Sequence, residues 1–257
     1  MIGLLAAQRR EEIRNALQQK GWLSVTELAQ IVGASPATVR RDLKELERAG
    51  VLIRTRGGTC LADRLPEEMT EHVRAQKNSM EKKKIGQVAA KLVENAGSII
   101  LDAGTTTLEV ARALKPAQPL RVITDSVEIA YELRDRENIV VIVTGGVMRP
   151  HAYNLFGGMG EQMLAGMHAQ ICVMGCSALS LEEGLTKHDI ESMPIRRKMV
   201  EISRQLIAVV DSSKFGKTGL VSICPVTRIS TLITDSGIDP VFRSALESAG
   251  VQVIVAE

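Results

Sequence analysis

Two hydrophobic patterns divide the chain. Before residue 60 the apolar positions are sparse and helically spaced. Ile13 and Leu17, four apart, predict a helix over about 8–20 that ends near Gly21. A short helix from about residue 26 buries Leu28, Ala29 and either Ile31 or Val32, and stops at Gly33. Val39, Leu43 and Leu46 fall at i, i+4 and i+7 on a third helix, with Ser35 as its cap, Pro36 in its first turn and Gly50 past its end. Beyond residue 97 the pattern changes to short, continuous apolar runs at 98–101, 121–124, 139–144, 170–174, 206–211, 231–235 and 251–255. Such runs, separated by helical stretches, predict parallel strands covered on both faces, hence an open, mostly parallel α/β sheet.

Between the two patterns, residues 61–80 carry Pro66, Glu67, Glu68, Arg74 and Asn78 and predict a linker. The expected domains are 1–60, a linker at 61–80, and 81–257. A helix over 79–95 opens the larger domain, with Ile85, Val88, Ala89, Leu92 and Val93 as its apolar stripe and Lys82, Lys83 and Lys84 as a solvated face.

The small domain's third helix leaves Ala37, Thr38, Arg40, Arg41 and Lys44 off the buried stripe. Two short helices joined by Gly33-Ala34-Ser35 fit a helix-turn-helix, whose second helix enters the major groove of DNA. Residues 51–60 place Arg54 and Arg56 beside Gly57-Gly58, a hairpin wing whose arginines suit phosphates or a minor groove. An arginine pair on a helix face usually does no more than face water. Here cap, turn, basic face and Gly-Gly hairpin occur in one compact order, and that combination favours DNA.

Charge supports this modestly. The whole chain carries +2, but residues 1–58 hold ten Lys/Arg against six Asp/Glu, a basic head on a slightly acidic body. With 45% hydrophobic residues and no run long enough to span a bilayer, the chain reads as globular, and residues 1–10 lack the apolar core of a secretory signal, so a cytoplasmic location and no membrane partner are expected. Cys60, Cys172, Cys176 and Cys224 form no CxxC pair, which argues against a disulfide framework or structural metal. An aromatic content of 2% disfavours a sugar site built on ring stacking.

Ligands of open α/β sheets bind at the carboxyl ends of the strands. Small polar residues recur there: Asp102-Ala103-Gly104-Thr105-Thr106-Thr107, Thr124-Asp125-Ser126, Thr144-Gly145-Gly146, Gly175-Cys176-Ser177 and Asp211-Ser212-Ser213-Lys214. The first opens a helix, where amides and hydroxyls suit a phosphate. One such turn is usually only a turn; several at one rim predict a polar pocket.

The segment 35–43 followed by Arg54-Thr55-Arg56-Gly57-Gly58 resembles the DeoR family of bacterial sugar-metabolism repressors, whose recognition helix reads Ser-x-x-Thr-[Ile/Val]-Arg-Arg-Asp-Leu. Ala34 stands where that family usually has valine. The resemblance implies that Ser35, Ala37, Thr38, Arg40 and Arg41 lie at the DNA with Lys44, Arg54 and Arg56, whereas Asp42 holds an arginine or the helix. The larger domain also resembles that family's sensor, similar in fold to ribose-phosphate isomerases and CoA transferases. Its elements appear in order: Asp102-x-Gly104-Thr105-Thr106, Thr144-Gly145-Gly146, Gly184-Leu185-Thr186, Glu191 leading to Arg196-Arg197, and 211–216. The expected effector residues are Asp102, Gly104, Thr105, Thr106, Thr107, Thr124, Asp125, Ser126, Gly145, Gly146, Gly175, Glu191, Arg197 and Lys214, taking a phosphorylated sugar or polyol. Asp125 departs from the pattern, which usually has Thr-Asn-Ser.

An enzyme reading has candidate acids and bases in Asp102, Asp125, Asp189, Glu191, Asp211 and Lys214, but no acid–base pair is defined by spacing. His151, His168 and His188 stand isolated. A purely architectural DNA binder would not need so many polar loops. The expectation is therefore a repressor and not an enzyme, without cofactor or metal, acting as a homodimer or homotetramer on double-stranded operator DNA.

Overall fold

A computed structural model describes residues 6–20, 22–55, 58–61, 74–148 and 152–257, and the side chains of Trp22 and 53–55 lie outside that description. The chain divides into two compact units, 1–77 and 78–257.

In the first unit, α1 (Ala6–Lys20), α2 (Val25–Ile31) and α3 (Pro36–Arg48) enclose a core of Ile13, Leu17, Leu28, Val39, Leu43 and Leu52. Ser24 and Glu27 form a reciprocal capping box on α2, and the Ser35 side chain caps α3 through the Thr38 amide. The strands β1 (Trp22–Leu23), β2 (Leu52–Thr55) and β3 (Gly58–Leu61) pair antiparallel in the order β1-β3-β2. This is a winged helix-turn-helix. The short β1 adds a third strand to the wing, paired with β3.

The second unit opens with α4 (Ser79–Val93) and then alternates β4 (Ser98–Leu101), α5 (Thr105–Ala113), β5 (Leu120–Thr124), α6 (Val127–Leu133) and β6 (Ile139–Val143). The hairpin β7 (Val147–Met148) and β8 (Leu155–Phe156) leads to α7 (Gly158–Leu164) and β9 (Ala169–Met174). There follow β10 (Ala178–Ser180), β11 (Gly184–Lys187), α8 (Met193–Glu201), β12 (Ser203–Val209), β13 (Val221–Cys224), β14 (Thr231–Asp235), α9 (Pro240–Ser248) and β15 (Gln252–Ala256).

Seven strands form one parallel sheet in the order β15-β14-β12-β9-β4-β5-β6. Alternate residues face opposite layers, as the two-residue repeat of a strand requires. Ile99, Leu101, Val173, Ile207, Val209 and Ile233 pack with α4, α5 and α6, whereas Ile100, Cys172, Met174, Leu206, Ala208 and Leu232 pack with α8 and the elements beside it. The solvated face expected on the helix over 79–95 needs correction: Lys82 is buried, because it lies three and seven residues before Ile85 and Ala89 on the apolar stripe. The strand expected at 206–211 runs from Ser203 to Val209, which leaves Asp211 in the loop beyond it.

Sequence periodicity missed the antiparallel sheet β10-β11-β13, whose strands are three or four residues long. Its turn depends on Gly184, at φ +68°, where an added Cβ would sit 2.1 Å from the Cys224 carbonyl oxygen. Backbone strain and a backbone clash combine there, so Gly184→Ala is expected to cost roughly 2–4 kcal/mol. Urea denaturation monitored by circular dichroism measures this, and a loss below about 0.5 kcal/mol would show that the hairpin tolerates another path.

Candidate functional site

In the winged unit, one face of α3 is occupied inward and the other is free. Val39 and Leu43 are buried, as is Asp42. Asp42 accepts from Arg9 at 2.5 and 3.2 Å, with Arg10 at 3.5 Å, so the carboxylate ties α1 to α3 and draws on arginines outside the helix. Ala37, Arg40, Arg41 and Lys44 share the outward face and are exposed. Arg40, Arg41 and Lys44 make no ion pair among the described residues. Ser35 is exposed at the helix start and its hydroxyl lies 2.9 Å from that of half-buried Thr38. Arg54 has its backbone in β2, opposite Thr59. Its side chain, Arg56, Gly57, most of the linker, and His151 lie outside the described residues.

In the larger unit the sheet reverses direction of growth between β4 and β9, the place where open sheets leave a crevice. Asp102 fills it. The residue is fully buried; one carboxylate oxygen accepts from the Gly175 amide at 3.0 Å and the other from Lys187 Nζ at 2.9 Å. Arg196 Nε lies 3.5 Å from the same carboxylate. Lys187 also donates to the Ala103 carbonyl at 3.3 Å. Neither Lys187 nor Arg196 stood among the predicted effector residues, yet both are buried at its centre.

Asp125, one strand over, is buried as well. Its Oδ1 accepts from the Ala103 amide at 2.8 Å, and its backbone carbonyl accepts from Leu155 at 2.8 Å. Thr124 receives the Ser126 amide on its hydroxyl and the Thr144 amide on its carbonyl, while the Ser126 hydroxyl caps α6 through Ile129. Asp125, Asn154 and Thr144 are thus linked through bonded backbone neighbours at the ends of β5 and β6. Burial pushes the Asp125 carboxyl up to about 6; Arg196 and Lys187 oppose the rise, and Asp102 adds to it.

Around these lie the remaining loops. Gly104 precedes α5 and offers no side-chain cap, so the first-turn amides of Thr105, Thr106 and Thr107 are not satisfied by a capping residue. All three threonines are buried, and the Thr107 hydroxyl turns back to the Gly104 carbonyl at 2.8 Å. Gly146, at φ +144°, is crossed by the Phe156 backbone, and Gly145 packs near Met159. On β12's side, Asp211 accepts from Ser213 at 2.5 Å and from Asn78 Nδ2 at 2.7 Å. Burial alone would raise the Asp211 carboxyl, but these bonds, with Lys214 and Lys82 nearby, hold it below its ordinary value. Cys176 sits among Lys187, Lys214, Asp102 and Asp211, its thiol pushed up by burial to about 12 and so inert.

Two predicted residues stand apart. Arg197 is exposed and donates to the Ser222 carbonyl at 2.6 and 3.2 Å; its neighbour Arg196 faces the cluster instead. Glu191 is exposed, and its amide donates to Asp189. A concavity of about 520 Å³ between α4 and α5, lined by Lys83, Lys91, Glu109, Arg112 and Lys115, lies away from these loops and holds none of the cluster. No group of three or more His, Cys, Asp or Glu suited to a metal ion occurs among the described residues. No helix among them is long and apolar enough to cross a membrane.

The raised Asp125 carboxyl has a consequence for stability. The folded chain binds this proton more tightly than the unfolded chain, whose ordinary value is 3.8. The associated stabilisation is full below about pH 4 and is lost as pH rises through 6. Asp125→Asn, which cannot ionise, should therefore gain on the parent as pH rises, by up to about 3 kcal/mol at pH 7.5. Unfolding of both proteins from pH 4 to 8 checks this; a difference independent of pH would contradict it.

Comparison with known proteins follows the same division. A family model for the DeoR-like helix-turn-helix domain matches residues 9–64, and one for the DeoR C terminal sensor domain matches 77–236. The HTH-type transcriptional regulator GolR of Listeria innocua is 34% identical over 250 residues, 97% of this chain and 98% of its own. The HTH-type transcriptional repressor GlcR of Bacillus subtilis is 32% identical over 250 residues, 97% of this chain and 96% of its own. Among solved structures, ribose 5-phosphate isomerase A of Methanocaldococcus jannaschii matches 54% of this chain and 55% of its own with 18% identity and a TM-score of 0.40, a likeness too distant to bear on function. With both models matched in order and relatives similar along nearly their whole length, the chain belongs to the DeoR family of transcriptional regulators.

Proposed function

We propose that this regulator is a cytoplasmic repressor of a carbohydrate or polyol catabolic operon, released from double-stranded operator DNA by a phosphorylated sugar or polyol. The observation that carries the DNA half is the face Ala37, Arg40, Arg41 and Lys44: exposed, cationic, and free of ion pairs among the described residues. A protein that leaves three cations unpaired on the outward face of a capped helix presents them to a polyanion. Arginine can read guanine with two bonds, at about 1–3 kcal/mol of discrimination. A homodimer or homotetramer would set two such helices on a symmetric operator, with half-sites roughly one helical turn apart.

The effector half rests on the uncapped start of α5 at the sheet's switch point. The amides of Thr105 to Thr107 suit a phosphate, and Asp102, Lys187 and Arg196 lie alongside. Release then needs a link from this rim to the winged unit. Asn78 offers one, because it begins the larger unit, precedes α4 and is bonded to Asp211 at the rim. Asn78 is also the one non-glycine residue with positive φ among the described residues, at +53°. Asn78 thus joins the rim through its side chain and α4 through its carbonyl, which accepts the Lys82 amide, and serves as the two-state element of this reading.

Two measurements test the reading. Arg41→Ala should weaken operator binding roughly 5–150-fold by fluorescence anisotropy while a sugar phosphate still binds. Full operator affinity in that variant would remove α3 from the interface. Asn78→Ala should still bind the effector by calorimetry, yet the effector should change its operator affinity at least about fivefold less than it changes the parent's. Unchanged release would place the link elsewhere.

A further inference from the structure

At the carboxyl edge, Asp125 Oδ2, Asn154 Nδ2 and Thr144 Oγ1 are buried without a hydrogen-bond partner, and Arg196 Nε and Nη1, also without one, have only ion-pair contacts of 3.5 Å to Asp102 and 3.8 Å to Asp189. The atoms beside them are satisfied. Asp125 Oδ1 holds the Ala103 amide, and Asp102 holds Gly175 and Lys187. The first three orphans belong to adjoining loops, since the Thr144 amide bonds the Thr124 carbonyl and the Leu155 amide the Asp125 carbonyl, while Arg10 Nε and Thr234 Oγ1 are orphans elsewhere. Buried polar groups are nearly always paired, so several orphans in one place point to a bound species that completes them.

Their chemistry restricts that species. Arg196 and Asn154 contribute donors, Thr144 either role, and Asp125 Oδ2 an acceptor. The centre already holds both signs, Asp102 and Asp125 beside Lys187 and Arg196, with Asp189 a further 3.8 Å partner of Arg196. A phosphate dianion has no proton to give Asp125 and adds negative charge beside two carboxylates. An ammonium group adds positive charge beside Arg196 and Lys187. Two neighbouring neutral hydroxyls fit both requirements, giving one hydrogen bond to Asp125 and accepting from Asn154 and Arg196.

We propose that Asp125, Asn154 and Arg196 read a vicinal pair of hydroxyls on the effector, with Asp125 Oδ2 as the acceptor that determines specificity. This rests on the reading of the rim as the effector site, and it orients the ligand with its phosphate at the start of α5 and its diol at β5. An asparagine at 125 could keep Oδ1 on the Ala103 amide but would then present Nδ2, a donor, where Oδ2 stands. Position 125 thus decides whether the ligand must offer a proton or accept one.

The test uses the full-length parent and Asp125→Asn, titrated calorimetrically with matched compounds. These are ribose 5-phosphate and 2-deoxyribose 5-phosphate; glucose 6-phosphate, 2-deoxyglucose 6-phosphate and glucosamine 6-phosphate; the corresponding sugar-alcohol phosphates; and inorganic phosphate as the phosphate group alone. In at least one series the parent should bind the full diol about tenfold or more tightly than its deoxy or amino counterpart, as expected for a hydrogen bond to a charged group. Asp125→Asn should reduce that preference to less than about threefold. Equal binding of diol and deoxy compounds by the parent would mean that water alone satisfies the orphans. A preference for glucosamine 6-phosphate would put an ammonium there, and discrimination unchanged in Asp125→Asn would assign it to other residues. Each of these overturns the proposal while the phosphate reading stands. If no compound, inorganic phosphate included, binds a parent that still binds operator DNA, the sensor reading itself fails and this proposal with it.

Discussion

The larger domain depends on what is done with a carboxylate at the one point where a parallel sheet cannot close. Between β4 and β9 the crossover connections diverge, and Asp102 sits there without contact with water. An unpaired charge in that position would be prohibitive; losing one partner of such a pair typically costs about 3–5 kcal/mol. Lys187 and the Gly175 amide hold it, and Lys187 comes from β11, outside the parallel sheet. The ion pair therefore ties the antiparallel strands to the sheet edge, beside the apolar packing of Leu179, Leu185 and Ile223. Its net stabilisation is small by comparison, since two desolvated charges roughly cancel their own attraction. What it supplies is registry: the loops after β4 and β9 and the end of β11 meet at one place.

The same device recurs along the edge. Asp125 accepts the Ala103 amide, and Asp235 accepts those of Ser212 and Gly237. Each aspartate at a strand end takes an amide from a different loop, so the rim is stitched by carboxylates and not by side-chain packing. Such a rim is polar and rigid, and it can leave single atoms unpaired where a ligand completes them. Asp42 plays a similar part in the winged unit, where it binds Arg9 and leaves the arginines of its own helix outward.

Much of this was legible in the sequence where burial alone decides. All seven parallel strands follow from continuous apolar runs, and α3 from its cap, proline and stripe. The misses share one cause. Lys82, Lys187 and Arg196 are cations lying on buried faces, where position outweighs charge. Lys82 lies three residues before Ile85, and Arg196 lies three from both Met193 and Met199, all buried. Lys187 shares its strand face with Leu185. The helical period could have found Lys82 and Arg196, but all four residues of β11 are buried and no alternation marks Lys187. Arg197 looked equivalent to Arg196 in the sequence, but one residue is about 100° around a helix, enough to turn it to the Ser222 carbonyl. The pairing of Lys187 with Asp102 had no local signal, because 85 residues separate them.

The size of the proposed coupling can be weighed against the contact that would carry it. A ligand shifts a conformational equilibrium only by its difference in affinity for the two states, commonly about 1–3 kcal/mol. The bond from Asn78 to Asp211 has a charged acceptor, and such bonds contribute about 1.5–3 kcal/mol. Its loss would also free Asn78, at φ +53° in the left-handed region that asparagine enters more readily than other side chains, to take another backbone conformation. One bond of this kind is of the right magnitude, so transmission requires no rearrangement of the sheet. The rim can stay rigid while the start of α4 changes, and a stiff sheet makes the change at its edge selective.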